Sequence, residues 1–188
     1  MPRPAPTPRD EPADPEAPDA DPEAVGRKIL LRRLTDRPRS RAELAEALAK
    51  RDVPGEIATR LLDRFEEVGL IDDEAFARSW VQTRTRNKGL ARRALGFELR
   101  RKGIADPVVQ TVLDEIDGDD EVETARLLVR RKLRSTRGLD PQVRTRRLAG
   151  MLGRKGYSPG VALRVVREEL GADEADEADE MPLDGVID

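Results

Sequence analysis

The sequence predicts an all-α protein, a tandem array of three three-helix repeat modules, elongated and curved, and three observations predict it. The first is a unit that recurs three times. It reads Leu44 to Leu48, Lys50-Arg51-Asp52-Val53, then Ile57, Leu61 and Leu62; next Leu95 to Leu99, Arg101-Lys102-Gly103-Ile104, then Val108, Val112 and Leu113. The third copy is Leu148 to Leu152, Arg154-Lys155-Gly156-Tyr157, then Val161, Val165 and Val166, so the copies are offset by 51 and 53 residues. Such a period marks an array of supersecondary units, each too small to bury its apolar face alone. The second observation is a succession of helix-start signals with no alternating strand pattern. The third is composition: 188 residues with 3% aromatic and 39% charged side chains suit thin helical modules better than one thick core.

Each element has its own local reason. Apolar periodicity places helices over 24–34, 40–51, 55–68, 73–87, 90–102, 106–117, 121–136, 141–154 and 159–170. Ser40-Arg-Ala-Glu43 is a capping box ahead of Leu44, and Asp120-Glu-Val-Glu123 repeats that chemistry with Asp as the cap. Asp106-Pro107, Asp140-Pro141 and Ser158-Pro159 each put a side-chain acceptor at the N-cap and a proline at the first helical position. Gly103 and Gly156 follow basic helix ends, where a left-handed C-cap and a cation near the dipole's negative end are both favoured. The modules expected are 24–72, 73–120 and 121–171, joined loosely enough to bend, between tails 1–23 and 172–188. Both tails are expected to be disordered: the first has eight prolines, and the second is an Ala-Asp-Glu repeat without an apolar face.

Charge is segregated along the chain. Net charge is -3, yet residues 1–23 carry 2 basic and 7 acidic groups, and 172–188 carry 8 acidic and no basic ones. The body between them therefore has 33 basic against 23 acidic groups. A basic body between acidic tails is the electrostatic mark of contact with phosphates or an acidic protein surface. There is no cysteine and no histidine, which leaves no thiolate metal site, no disulfide and no histidine proton shuttle. No apolar run approaches the roughly 18 residues of a membrane span, and the N-terminus lacks the cationic and apolar regions of a secretory signal. A cytoplasmic monomer with no cofactor, no metal and no membrane association is expected.

The densest motif is Gly69-Leu-Ile-Asp-Asp-Glu-Ala-Phe-Ala-Arg-Ser-Trp-Val-Gln-Thr-Arg84, followed by Lys88-Gly89 and by Glu98-Leu-Arg-Arg-Lys-Gly-Ile104. Physically, Asp72 or Asp73 caps a helix, and Phe76 with Trp80 makes an i,i+4 apolar pair facing a core. Asp72, Asp73, Phe76, Trp80, Gly89, Leu95, Leu99 and Gly103 are thus read as mainly fold-making. A base-stacking Trp80 is the rival reading, weighed against packing at a core-facing helical position. In these residues the chain resembles the RecX family of regulatory proteins. The resemblance rests on Ile71-Asp72-Asp73, Phe76-Ala77, Val81, Arg84, Lys88-Gly89, Glu98-Leu99-Arg100 and Lys102-Gly103-Ile104, in order, and covers about residues 24–171. Leu90-Ala91 departs from it, since many relatives have Gly or Pro after the turn. What the resemblance implies is binding to the RecA recombinase filament along its groove, restraining its ATPase, strand-exchange and coprotease activities in recombination, repair and the SOS response. No active site is implied.

The candidate contacts to DNA phosphates, single- or double-stranded, or to the recombinase are Arg84, Arg92, Arg93, Arg100, Arg101, Lys102, Arg126, Arg130, Arg134, Arg137, Arg147, Arg154 and Lys155. Residues 78–102 hold nine Arg/Lys against Glu98 alone, and 126–155 hold eleven against Asp140 alone. Arg126, Arg130, Arg134 and Arg137 line one helical stripe, placed opposite Val122, Val129 and Leu133. Like charges at that spacing repel, so the stripe costs helix stability unless anions meet it. A solvated face is the alternative meaning of such a run. Two rival functions remain. The first module alone could pass for a winged-helix transcription regulator, which would need a β-hairpin after Ile71, and the repeat architecture alone would suit a passive adaptor.

Overall fold

The computed structural model describes residues 21–179. Among them lie nine α-helices, one 3-10 turn and no strand. The helices are α1 (Pro22–Asp36), α2 (Arg41–Ala49), α3 (Gly55–Glu67), α4 (Asp73–Lys88), α5 (Arg92–Arg101), α6 (Asp106–Asp114), α7 (Gly118–Leu133), α8 (Pro141–Arg154) and α9 (Pro159–Asp179), with the 3-10 turn at Arg134–Thr136. The chain is an all-α array of three three-helix repeats, which gather into two compact units, one ending at Asp72 and the other beginning at Asp73.

The first unit packs α1, α2 and α3 around Leu30, Leu44, Leu48, Val53, Leu61, Leu62, Phe65 and Ile71. Both bonds of the expected capping box are made: the Glu43 amide donates to Ser40 Oγ at 3.2 Å, and the Ser40 amide to Glu43 Oε2 at 3.3 Å. Helix α1 meets α3 at Gly26, where an added Cβ would lie 2.6 Å from Leu61 Cδ1.

One turn is built three times. After α2, α5 and α8 the chain passes through a left-handed residue, Asp52 (φ 55°), Gly103 (φ 74°) or Gly156 (φ 94°). The amide of the next residue donates back to the helix's last core leucine: Val53 to Leu48 at 3.3 Å, Ile104 to Leu99 at 3.2 Å and Tyr157 to Leu152 at 3.2 Å. This is the six-to-one bond that closes a helix end and covers its free carbonyls. Because Val53, Ile104 and Tyr157 are all buried, the bond also pins the following helix onto the core.

The second unit contains two repeats, and they are not loosely joined as expected. The core of α4, α5 and α6 is formed by Phe76, Ala77, Leu95, Leu99, Ile104, Val109, Val112 and Leu113. The core of α7, α8 and α9 takes in Ala91 from the α4–α5 turn, alongside Val129, Leu148, Leu152, Tyr157, Val165 and others. The α4–α5 and α8–α9 turns dock on each other. The Ala91 amide donates to the Lys155 carbonyl at 2.9 Å and the Tyr157 hydroxyl to the Gly89 carbonyl at 3.2 Å, while the Lys155 ammonium donates to the Lys88 carbonyl. Contact is backbone-close: a Cβ on Gly156 would lie 2.6 Å from the Ala94 nitrogen, and one on Gly89 would lie 2.8 Å from Leu128 Cδ1.

Apart from the end of α9, the helix limits lie within three residues of the sequence expectation, and three helices differ from it in capping or extent for a physical reason. Helix α7 begins earlier, capped by Asp117, whose carboxylate accepts from the Asp119 amide at 2.7 Å, so Asp120 sits inside the first turn. Helix α6 begins at Asp106 itself, with Ala105 at the cap position and no side-chain cap bond. Helix α9 runs to Asp179, so the acidic segment expected to be disordered from 172 starts as helix, and Asp173 at its beginning is paired to Arg137 and Arg144. Residues 1–20 and 180–188 of the expected tails lie outside the described residues. By contrast, Asp140 caps α8 as expected, accepting from the Gln142 and Val143 amides at 2.9 and 3.3 Å, and Ser158 accepts from the Val161 amide at 3.2 Å.

Candidate nucleic-acid interface

The α4 motif builds a polar box around one indole. Phe76 and Trp80 stack at 5.8 Å between centroids. Helical spacing then brings Arg84 one turn beyond Trp80, with its guanidinium 4.2 Å from the indole centroid, while the Lys102 ammonium arrives from the end of α5 at 4.7 Å. Glu98 closes the box, accepting from Trp80 Nε1 at 2.8 Å and lying 2.9 Å from Arg84 Nε. Trp80 is half-buried among these groups, so its ring serves packing and cation–π contact. Arg84 and Lys102 are engaged there. Phe76, Leu95 and Leu99 are buried, Gly89 (φ 59°) and Gly103 take left-handed turns, and Asp72 directly precedes α4, which starts at Asp73. Where a wing would need a hairpin after Ile71, the chain enters α4.

The arginine stripe is met by anions of the chain itself. Arg130 donates to both carboxylate oxygens of Glu169 at 2.7 and 3.0 Å, a bidentate pair. Arg126 reaches Glu168 at 3.0 Å and Glu123 at 3.4 Å, and Arg137 reaches Asp173 at 3.1 Å. Asp173 also takes the guanidinium of Arg144, which is buried and donates from Nε to Thr136 Oγ1 at 3.2 Å. The Arg144 guanidinium, helped by Arg137, holds the Asp173 carboxyl below its ordinary range despite its burial. Hydrogen bonding to Glu169 likewise raises Arg130, and bonds to Glu168 and Glu123 raise Arg126. Arg126, Arg130 and Arg137 therefore flank α9 while staying partly in solvent, and Arg134 is the member of the stripe left without an ion pair among the described residues. Sequence reading missed Glu168, Glu169, Asp173 and Arg144. The available signal was spacing: Val165, Glu169 and Asp173 stand at i, i+4 and i+8, so two carboxylates continue a buried line.

The other candidates divide in two. Arg92 donates to the Ile116 carbonyl and lies 3.2 Å from Glu121, whose carboxyl burial pushes up even beside that cation. Arg100 pairs with Asp106 at 2.7 Å, and the Lys155 ammonium holds Lys88. Arg93, Arg134, Arg147 and Arg154 are exposed and carry no ion pair among the described residues. Arg101 instead lies 5.8 Å from the ring centroid of Phe97. An unpaired guanidinium at a helix surface has its planar fork available for a phosphate or carboxylate. Among the described residues no group of acidic side chains could hold a metal ion, and no helix is long and apolar enough to cross a membrane.

Three family models match along the chain: the first three-helix domain of RecX over residues 27–65, the second over 72–113 and the third over 119–166. The chain belongs to the RecX family. Regulatory protein RecX of Streptomyces coelicolor is 58% identical over 153 residues, covering 81% of each chain. That of Thermobifida fusca is 51% identical over 150 residues, covering 80% of this chain and 81% of the relative. The crystal structure of RecX from Lactobacillus salivarius superposes with a TM-score of 0.73 at 20% identity, covering 79% of this chain and 96% of that one, which supports the fold. A second crystal structure, of regulatory protein RecX, gives 0.71 at 25% identity over 79% of this chain and 73% of the other. RecX is a family of regulatory proteins, and the second RecX domain carries the Trp80 box and the Lys88-Gly89 turn.

Proposed function

We propose that this chain binds the RecA recombinase filament as a cytoplasmic monomer and mainly inhibits its ATPase, strand-exchange and coprotease activities in recombination, repair and the SOS response. The observation that carries this reading is membership of a regulatory family through all three of its three-helix domains. No chemistry by the chain itself is needed. A groove-bound regulator works by occupying surface, and the unpaired guanidiniums of Arg93, Arg134, Arg147 and Arg154 are suited to DNA phosphates or acidic recombinase side chains.

The structure also decides which variant to use. Reversing Arg130 or Arg137 would break pairs with Glu169 and Asp173 and disturb α9, so loss of function there would be ambiguous. The test is ATP hydrolysis by the cognate RecA on single-stranded DNA, with substoichiometric protein and an Arg134→Glu, Arg147→Glu, Arg154→Glu triple variant in parallel. Suppression by wild type and its loss in the triple variant is the expected result. If wild type leaves hydrolysis unchanged, the reading is wrong.

A further inference from the structure

We infer that Phe97 is a base-stacking platform for single-stranded nucleic acid, flanked by Arg93 and Arg101 on the exposed face of α5. The chain has only 3% aromatic residues, and Phe97 leaves 62% of its surface in water. It is the single large apolar side chain so exposed on α4, α5 and α6 among the described residues. Its fold role is slight, because Leu95 and Leu99 carry the buried face of α5.

The neighbours specify the ligand. Arg93 and Arg101 stand one turn before and one turn after Phe97, so the three side chains share one stripe. Arg101 already lies over the ring at 5.8 Å, and Arg93 is unpaired among the described residues. The one acidic residue of α5, Glu98, is turned away into the Trp80 box. The two arginines are about 12 Å apart along the axis, a span that an extended strand crosses in a few nucleotides. At the N-terminal end of α5 the Ala91 amide donates to the Lys155 carbonyl, which places the backbone of the preceding residue, Arg154, near the same end.

This arrangement differs from a protein-docking patch. Protein interfaces centre on contiguous apolar area, whereas Phe97 is a lone ring between two cations. A ring that can accept one π-face, with phosphate-binding forks on either side, is what single-strand binding requires. A duplex offers no free base face, so the platform selects unstacked bases. The inference rests on the reading that the basic face meets nucleic acid, and deepens it.

The test is fluorescence anisotropy with three labelled probes of equal length: oligothymidine, an abasic deoxyribose-phosphate strand and a duplex. Phe97→Ala, Phe97→Leu and Phe97→Tyr are compared with wild type, circular dichroism confirming unchanged helix content. Wild type should bind oligothymidine about fivefold to a hundredfold more tightly than the abasic strand, from the stacking of one base. Ala and Leu should bring that ratio close to one, and Tyr should keep it. Equal affinity of wild type for the two strands, failure to bind either, or a ratio preserved in Phe97→Ala overturns the platform. RecA ATPase suppression measured on the same proteins separates the readings. A Phe97→Ala protein that binds all probes like wild type but no longer suppresses hydrolysis makes Phe97 a protein contact, leaving the RecX reading intact.

Discussion

Asp52 and Gly156 occupy the same step of the repeat and carry opposite constraints. Both follow a helix in the left-handed region, at φ 55° and 94°. A side chain there costs about 1–2 kcal/mol, somewhat less for Asp. At Asp52 the residue is exposed, so replacing it by glycine should stabilise the first unit by up to about 1 kcal/mol. At Gly156 the same methylene would meet the Ala94 nitrogen at 2.6 Å, and that atom belongs to backbone that cannot rotate away. Gly156→Ala should therefore lose both terms, about 2–4 kcal/mol, conformational strain plus overpacking. Urea titration followed by circular dichroism reads both changes. A Gly156→Ala midpoint equal to wild type would mean that the two turns are not docked in solution. The left-handed positions themselves were legible at Gly103 and Gly156, because glycine after a basic helix end has few other uses. The partner of Gly156 was not, since Ala94 lies sixty-two positions earlier and bears no mark of contact.

At the scale of elements, most helix starts were readable, the caps of α6 and α7 apart, and the end of α9 was not. A capping box or an Asp-Pro pair states its own chemistry locally, as Ser40 and Asp140 do. The end of α9 depends on charges from α7, α8 and the segment between them, so its Ala-Asp-Glu run looks structureless until Arg130, Arg137 and Arg144 are placed beside it. Asp173 is the test of that dependence. Asp173→Asn leaves the buried Arg144 guanidinium facing a neutral amide and should cost about 3 kcal/mol at neutral pH. Because the folded Asp173 carboxyl is held below its ordinary value, its contribution is fully present above the unfolded pKa of about 3.9. It fades as pH falls through the lower folded value. Wild type should thus lose more stability than Asp173→Asn between pH 5 and pH 3, measured by urea midpoint. Parallel losses would place the acid-sensitive pair elsewhere.

For the whole molecule, the three-fold repeat was legible because leucine spacing and turn residues recur in register, and the same Leu-to-apolar bond closes each copy. The basic excess of the body between the two acidic tails also suggested an anionic partner. What it concealed is how much of the positive charge is already spent internally. Of the thirteen proposed contacts, only Arg93, Arg134, Arg147 and Arg154 lack an ion pair or other polar partner among the described residues, with Arg101 committed to a ring alone. Five phosphate contacts predict a log–log salt slope of about 4.5, a fall in DNA affinity of about 500-fold between 50 and 200 mM salt. Removing three of the five in the Arg134, Arg147, Arg154 triple variant should lower the slope by about 2.7. Anisotropy titrations across that salt range measure both. A slope near zero would remove phosphates from the interface. A slope near seven would mean that Arg126, Arg130 and Arg137 leave Glu168, Glu169 and Asp173 on binding, so that DNA displaces the acidic end of α9. In that event Asp173→Asn, which frees Arg137 and Arg144 beforehand, should bind more tightly than wild type.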